Sequence, residues 1–229
     1  MAVITWIFNY NKEDLLGLPI FTFLPDSHTF KESVIPLAQI ISSPKTSQII
    51  QKFYDFPTYK YSASFTFINH QHLKQFLNFI HSLNGNQRKF WLPVWHRNFK
   101  LTKPVLSSEA VITVANTKFF QFIPPKLLQK LRLFLFKPLS NNKFLFIVRK
   151  ITQVVELNDY EEQIYFPKPI NYNFSLADPV FIGKLALVRL ATDTVNLRFL
   201  FSVNQEFKNY SIVKTNLEFL ELTFEWLNS

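Results

Sequence analysis

Hydrophobic and polar residues alternate along most of this chain with the two-residue period of β-strands, but one segment keeps the period of an α-helix. Between Asn69 and Gly85 the apolar residues recur three and four positions apart, which places them on one helical face. These residues are Leu73, Phe76, Leu77, Ile80 and Leu83. Asn69 can accept a backbone N–H at the start of a helix, and Gly85 can end it in a left-handed conformation. The pattern predicts a helix over residues 70–84.

Strand-like segments flank this helix on both sides. Residues 59–68 alternate apolar and polar side chains, so one face of that strand should be buried, and the bulky residues 90–95 favour a second strand. Further predicted strands cover residues 3–10, 18–25, 33–43, 47–56, 110–115, 118–124, 126–137, 143–157, 184–203 and 210–226. Prolines and polar residues predict an irregular connection over residues 157–180. One helix among many strands predicts a mainly antiparallel β fold, either a sandwich or barrels.

The composition excludes several classes of chemistry. Only 3 of the 229 residues are glycine and none is cysteine, whereas 27 are phenylalanine. Loops that bind phosphate need several closely spaced glycines, and thiolate catalysis or thiolate metal sites need cysteine. No apolar run reaches the roughly 18 residues of a membrane-spanning helix, and the N-terminal segment lacks the basic start of a signal peptide. We therefore expect a chain with no membrane span that is made and assembled in a cytoplasm.

The net charge of +9 is concentrated in the middle of the chain. Residues 86–155 contain thirteen Lys and Arg against the single acid Glu109. Such a segment, rich in phenylalanine, fits either a surface that binds single-stranded nucleic acid or an interface with an acidic neighbouring subunit. The cations are spread out rather than clustered, which favours the acidic partner. The candidate partner-binding residues are Arg132, Lys137, Arg149 and Lys150.

No catalytic, cofactor-binding or metal-binding constellation is evident. The five histidines lack paired ligand spacing, and no nucleophile elbow of the GxSxG type exists. Asp159, Glu161 and Glu162 cluster in a segment that reads as a solvated turn, which is not the separated pair of environments that acid–base catalysis requires. The sequence therefore predicts a protein that is not an enzyme.

Several segments, taken in order, resemble the tail-tip proteins of tailed bacteriophages, of the distal-tail and baseplate-hub type. They are SQIIQKFYDFPTYKYSASFTF, a helix ending in LNGNQRKFWLPVWHRNFKL, and the closing pair LVRLATDTVNLRF and LEFLEL. The order of strand, proline, alternating strand, helix, glycine and "lPlW" strand is similar to the order in that family. The chain departs from the family pattern before Pro57, where Lys52 and Tyr54 replace the usual glycine and arginine.

The resemblance implies a tail-tube-like β-sandwich with one packed helix, in a virion protein at the tail tip. It further implies a homo-oligomeric ring, most plausibly a hexamer, that joins the tail tube to hub or receptor-binding proteins, with DNA only passing through the channel. Because the closing strands read as partners of the N-terminal sheet, we expect residues 1–100 and 178–229 to form the ring-forming sandwich. Residues 101–177 should then form an inserted, smaller basic β domain. The alternative is a basic β-barrel module that binds single-stranded nucleic acid.

Overall fold

The structure, a computed structural model, shows a mainly β protein. It describes residues 5–10, 15–35, 38–43, 46–52, 58–96, 98–123, 125–140, 143–200 and 212–222. The strands before the long helix are β1 (Thr5–Asn9), β2 (Lys31–Ile35), β3 (Ala38–Ser43), β4 (Thr46–Lys52) and β5 (Thr58–Phe67). After it come β6 (Phe90–Pro93), β7 (Val111–Ala115), β8 (Arg132–Pro138), β9 (Lys143–Lys150), β10 (Gln153–Glu156), β11 (Glu161–Tyr165), β12 (Phe181–Leu190), β13 (Leu197–Leu200) and β14 (Ile212–Glu221). The helices are α1 (His70–Ser82) and the four-residue α2 (Pro125–Leu128).

In the described residues, nine strands form one mixed sheet, β10, β11 and β7 form a three-stranded antiparallel sheet, and β3 pairs with β4. The prediction of a mainly β fold with one long helix is confirmed. The large sheet is mixed rather than antiparallel throughout, because β1 runs parallel to β9. Alternation along a single strand sets which face is buried but not the direction of its neighbour, so the sequence pattern could not distinguish the two.

Helix α1 begins and ends close to the predicted residues. The side chain of Asn69 accepts a hydrogen bond from the backbone N–H of Gln71 at 2.8 Å, which caps the first turn. At the other end Asn84 and Gly85 both have positive φ, 53° and 71°. The chain therefore leaves the helix in the left-handed conformation that the glycine predicts.

The chain divides into two compact units, one within residues 1–20 and 91–186 and the other within residues 21–90 and 187–229. Strand β12 contributes its first part to the first unit and its last residues to the second. The predicted divisions of the chain lie instead after residues 100 and 177. That arrangement, a sandwich with an inserted domain, stays a prediction.

The second unit is built on an aromatic core beneath α1. Strand β5 buries Tyr61, Ala63, Phe65 and Phe67, as the alternation predicts. Phe76 of α1 is fully buried, and its ring centroid lies 4.6 Å from that of Phe67. The helix also inserts Phe79, whose ring meets Phe21 and Phe90 at 5.4 and 5.5 Å. Leu77, Phe79 and Ile80 are all half-buried. The contacts of the helix with the core therefore extend to Phe79, which the predicted face did not include.

The first unit has its own core around β8, β9 and β12. In this core β8 pairs with β9 on one side and with the first part of β12 on the other. Gly183 of β12 is required by close packing, because an added Cβ would lie 2.7 Å from Cε1 of Phe134 and 2.8 Å from the carbonyl oxygen of Val94. Trp95 closes part of this core, with its ring 5.0 Å from Phe134.

Several predicted segments differ from the structure. Residues 18–25 form no strand beyond a single bridge at Ile20, since their backbone is interrupted by two prolines. Residues 120–122 form a 3₁₀ helix, and Phe119 and Phe120 pack on Phe99. The predicted irregular connection contains β11, and the predicted strand 184–203 is broken into β12 and β13 by a turn at residues 191–193.

Candidate functional site

The four candidate partner-binding cations all belong to β8 and β9 in the first unit. Arg132 pairs in register with Lys150, while Arg149 and Lys137 lie further along the same two strands. Arg132 and Arg149 are only 5% and 4% exposed, and Lys150 is half-buried. The strands therefore bring Arg132, Arg149 and Lys150 together and leave Lys137 near the other end of β8. Two of the four, Arg132 and Arg149, are buried.

Arg149 holds three backbone segments together. Its guanidinium donates to the carbonyl oxygens of Asn9, Pro169 and Ile170 at 3.0, 2.9 and 3.0 Å, and to the side-chain oxygen of Asn9 at 3.1 Å. A planar guanidinium with five N–H donors suits this arrangement, because it can satisfy several carbonyl groups at once. Arg149 thus joins the end of β1 to the loop before residue 171.

Lys137 is held by a carboxylate and two aromatic rings. Its Nζ lies 2.7 Å from Oδ1 of Asp178, and 5.4 and 5.9 Å from the ring centroids of Tyr172 and Phe174. The hydrogen bond from Lys137, with one from the backbone N–H of Ser175, lowers the pKa of Asp178. This lysine therefore ties β8 to the segment that precedes β12.

Arg132 is held by stacking and by a local carbonyl group. Its guanidinium carbon lies 5.0 Å from the ring centroid of Trp91, within cation–π range, and its Nη1 donates to the carbonyl oxygen of Lys130. For Arg132, Lys137 and Arg149 the structure thus shows roles inside the first unit. Their assignment to a partner interface stays a prediction, and the net charge of the segment overstates the charge available at its surface.

Only part of the carboxylate cluster is a solvated turn. Asp159 lies in the turn with its side chain 86% exposed, whereas Glu162 lies on β11 and is only 4% exposed. It shares the buried face of the three-stranded sheet with Ile164, which is two residues further along the strand. Its direct neighbour across the antiparallel pair is Glu156 on β10. The two-residue spacing from Ile164 was the signal in the sequence that could have identified this buried acid.

The environments of these two glutamates differ. Burial, reinforced by the charge of Glu156, raises the pKa of Glu162, although the backbone N–H of Thr117 donates to its carboxylate. Its Oε1 has no hydrogen-bond partner among the described residues. The carboxylate of Glu156 instead accepts from Nζ of Lys118 at 2.9 Å and from Nδ2 of Asn116 at 2.8 Å, and these bonds, that of Lys118 first, lower its pKa.

Two neighbouring carboxylates, one with a raised pKa and one with a lowered pKa, also occur in the active sites of enzymes that use acid–base catalysis. Here, however, Lys118 and Asn116 occupy the Glu156 carboxylate, and Glu162 lies on the core face of its sheet. In the part of the chain that the structure describes, no group of three or more His, Asp or Glu could hold a metal ion. Among those same residues no helix has the length and apolar character needed to cross a membrane. The contacts of Glu156 with Lys118 and Asn116 therefore serve to hold the β10–β11 hairpin in place.

Comparison with known proteins gives no family assignment. A scan against protein-family models finds no matching family, and a search of the curated proteins finds no matching relative.

Proposed function

We propose that this chain is a non-enzymatic structural subunit of a bacteriophage tail tip. In this role it assembles in the host cytoplasm into a homo-oligomeric ring, most plausibly six-fold, that joins the tail tube to hub or receptor-binding proteins. One observation carries the proposal. Two of the segments that resemble the tail-tip family, the alternating strand β5 and the closing LEFLEL of β14, are paired within the second unit.

The pairing in the second unit is extensive. Strand β14, which contains the closing LEFLEL motif, runs antiparallel to β5 with eight residue pairs from Val213–Phe67 to Leu220–Lys60. Helix α1 follows β5 and packs Phe76 on it. This grouping of strand, helix and closing strand supports the finer fold that we propose, a tail-tube-like antiparallel β-sandwich with one packed helix, plus a smaller β domain.

A strand edge in the first unit supports assembly. Among the described residues β1 has a single strand partner, β9, and it carries the exposed side chains of Ile7 and Phe8, which are 41% and 42% exposed. It contains no lysine or proline, residues that commonly protect an edge strand from pairing with another chain. An edge with this composition suits a subunit that is permanently covered by a neighbour.

The placement of the cations favours a structural subunit over the nucleic-acid-binding module. A single-strand binding groove presents Lys and Arg to the phosphate backbone beside accessible aromatic rings. In this chain Arg132 and Arg149 are buried, and Lys137 already contacts Asp178. In a ring, DNA would only pass through the channel, and a wall with few exposed cations would let a polyanion slide.

The proposal is tested by the mass and the binding behaviour of the purified full-length chain. Light scattering coupled to gel filtration should give a defined homo-oligomer, and fluorescence anisotropy should show no tight binding of single-stranded DNA at physiological salt. A stable monomer that binds single-stranded DNA, with an affinity that falls steeply with salt concentration, would instead identify the nucleic-acid-binding module.

A further inference from the structure

The turn that follows α1 contains the one Asn-Gly pair of the sequence, Asn84 and Gly85. The side chain of Asn84 is exposed, while Gly85 is half-buried. Both residues have positive φ, 53° and 71°. The side-chain Nδ2 of Asn84 donates to Oε1 of Gln87 at 3.2 Å, and Gln87 is exposed as well. Water therefore reaches the side-chain amide of Asn84.

An asparagine side chain can react with the backbone nitrogen of the residue that follows it. That nitrogen attacks Cγ, so a bond from nitrogen to Cγ forms, the bond from Cγ to Nδ2 breaks, and the backbone N–H proton leaves with Nδ2 as ammonia. Water then opens the cyclic imide at one of its two carbonyl groups, which gives aspartate or isoaspartate. Asparagine is accordingly one of the labile residues of proteins. The reaction needs only water.

Gly85 makes the attacking nitrogen accessible. A glycine has no Cβ beside that nitrogen, and its backbone moves between left-handed and right-handed conformations at little cost. Attack also requires the backbone of Asn84 to rotate until Cγ meets the nitrogen, and the ends of helices open more readily than their middles. Asn78 and Asn86, in the same part of the chain, precede residues that carry a Cβ. Of these three asparagines, Asn84 is therefore the one that should react.

Asp193, in the turn after β12, limits how far the turn at Gly85 can open. Its Oδ1 accepts the backbone N–H of Asn86 at 2.8 Å, and the same oxygen lies 2.8 Å from the position that a Cβ of Gly85 would occupy. The carboxylate therefore holds the peptide group between Gly85 and Asn86. A hydrogen bond that must break before a segment opens lowers the population of the open form. The contact with Asp193 should thus slow the reaction of Asn84.

We propose that Asn84 is a site of spontaneous deamidation and that Asp193 sets its rate by holding the turn closed. The reaction replaces a neutral amide by a carboxylate at the C-terminal end of α1, where the helix dipole disfavours negative charge. The new charge also lies in the turn that Asp193 contacts, and two like charges repel. Deamidation therefore weakens the attachment of this turn, whether or not the chain forms a ring.

The test is mass spectrometry of the full-length chain, incubated at neutral pH and digested with trypsin after increasing times. The tryptic fragment 75–88 contains Asn84 together with Asn78 and Asn86, which serve as internal controls. We expect Asn84 alone to gain the mass difference between an amide and a carboxyl group, as both aspartate and isoaspartate. The same chain unfolded in guanidinium chloride gives the rate without the fold. An Asn84 that reacts in the unfolded chain but stays unchanged in the folded chain would overturn the site.

Two substitutions test the role of Asp193. Asp193→Ala removes the acceptor and should speed deamidation about 2- to 10-fold, the factor that corresponds to the loss of one hydrogen bond. Asp193→Asn keeps an acceptor oxygen without the charge and should remain slower than Asp193→Ala. The side chain is exposed, so circular dichroism should show that both variants fold like the wild type. A rate in Asp193→Ala that equals the wild-type rate, or falls below it, would overturn the holding role of Asp193.

Discussion

The packing of α1 on β5 makes a quantitative prediction at Phe76. The side chain is fully buried among aromatic rings, with centroids of Phe67 at 4.6 Å and Phe23 at 5.4 Å. An aromatic side chain buries roughly 150 Å², which at about 25 cal/mol per Å² contributes about 4 kcal/mol. Phe76→Ala should therefore lower the free energy of unfolding of the second unit by about 3 to 5 kcal/mol, the range for buried phenylalanines.

The measurement is urea unfolding followed by circular dichroism at 222 nm, because α1 is the one long helix in the described residues and belongs to the second unit. Gln75→Ala, at the exposed neighbouring position of the same helix, is the control and should change the free energy by less than about 0.5 kcal/mol. A loss below about 1 kcal/mol for Phe76→Ala would show that this face of the helix is not packed as described.

Three further changes test other parts of the structure. Gly183→Ala should cost about 1 to 3 kcal/mol of stability in urea unfolding, because the new Cβ meets Phe134 and a backbone oxygen at under 3 Å. Arg149→Leu should cost about 2 kcal/mol by the same assay, since it removes the guanidinium donor from the carbonyl oxygens of Asn9, Pro169 and Ile170, and Arg149→Lys should recover only part of the loss. Burial raises the pKa of Glu162 above its ordinary value of 4.5, so the folded state favours the protonated carboxyl group. The resulting contribution to stability is fully present below pH 4.5 and is lost as pH rises through the folded-state pKa. Glu162→Gln should therefore gain stability over the wild type in urea unfolding as pH rises from 4.5 to 7.5.

Local patterns were enough to predict the helix and most of the strands. The cap at Asn69, the glycine at residue 85 and the alternation along β5 depend on interactions within a few residues, so the sequence alone carries them. The exact face of α1 did not follow from spacing. Phe79 packs on Phe21, which is distant in the sequence, and no local pattern predicts that contact.

Elements that depend on distant partners were the ones missed. Residues 18–25 are apolar enough for a strand, but their two prolines cannot donate to a ladder, and Phe21 packs in the aromatic core. Strand β11 is short and begins with two glutamates, a composition typical of a connecting segment. Its strand conformation depends on pairing with β7 and β10, which are separate segments of the chain. The parallel pairing of β1 with β9 likewise joins segments more than 130 residues apart.

The candidate site was the least predictable part, because net charge does not show which charges are buried. The positive charge of their segment predicts Arg132, Lys137 and Arg149 to be surface cations. The structure places their side chains against Trp91, against Asp178 and against backbone carbonyl groups. The alternation of β8 and β9 could not reveal this, since both faces of these strands are covered.

The most direct test of the tail-tip proposal is electron microscopy of the assembled full-length protein, alone and in virus particles. The account predicts a closed ring, most plausibly six-fold, at the tail tip, with Arg132, Lys137, Arg149 and Lys150 away from the channel wall. A ring of another symmetry would correct only the copy number. A protein that is absent from particles, or a channel lined by those four cations, would contradict the account.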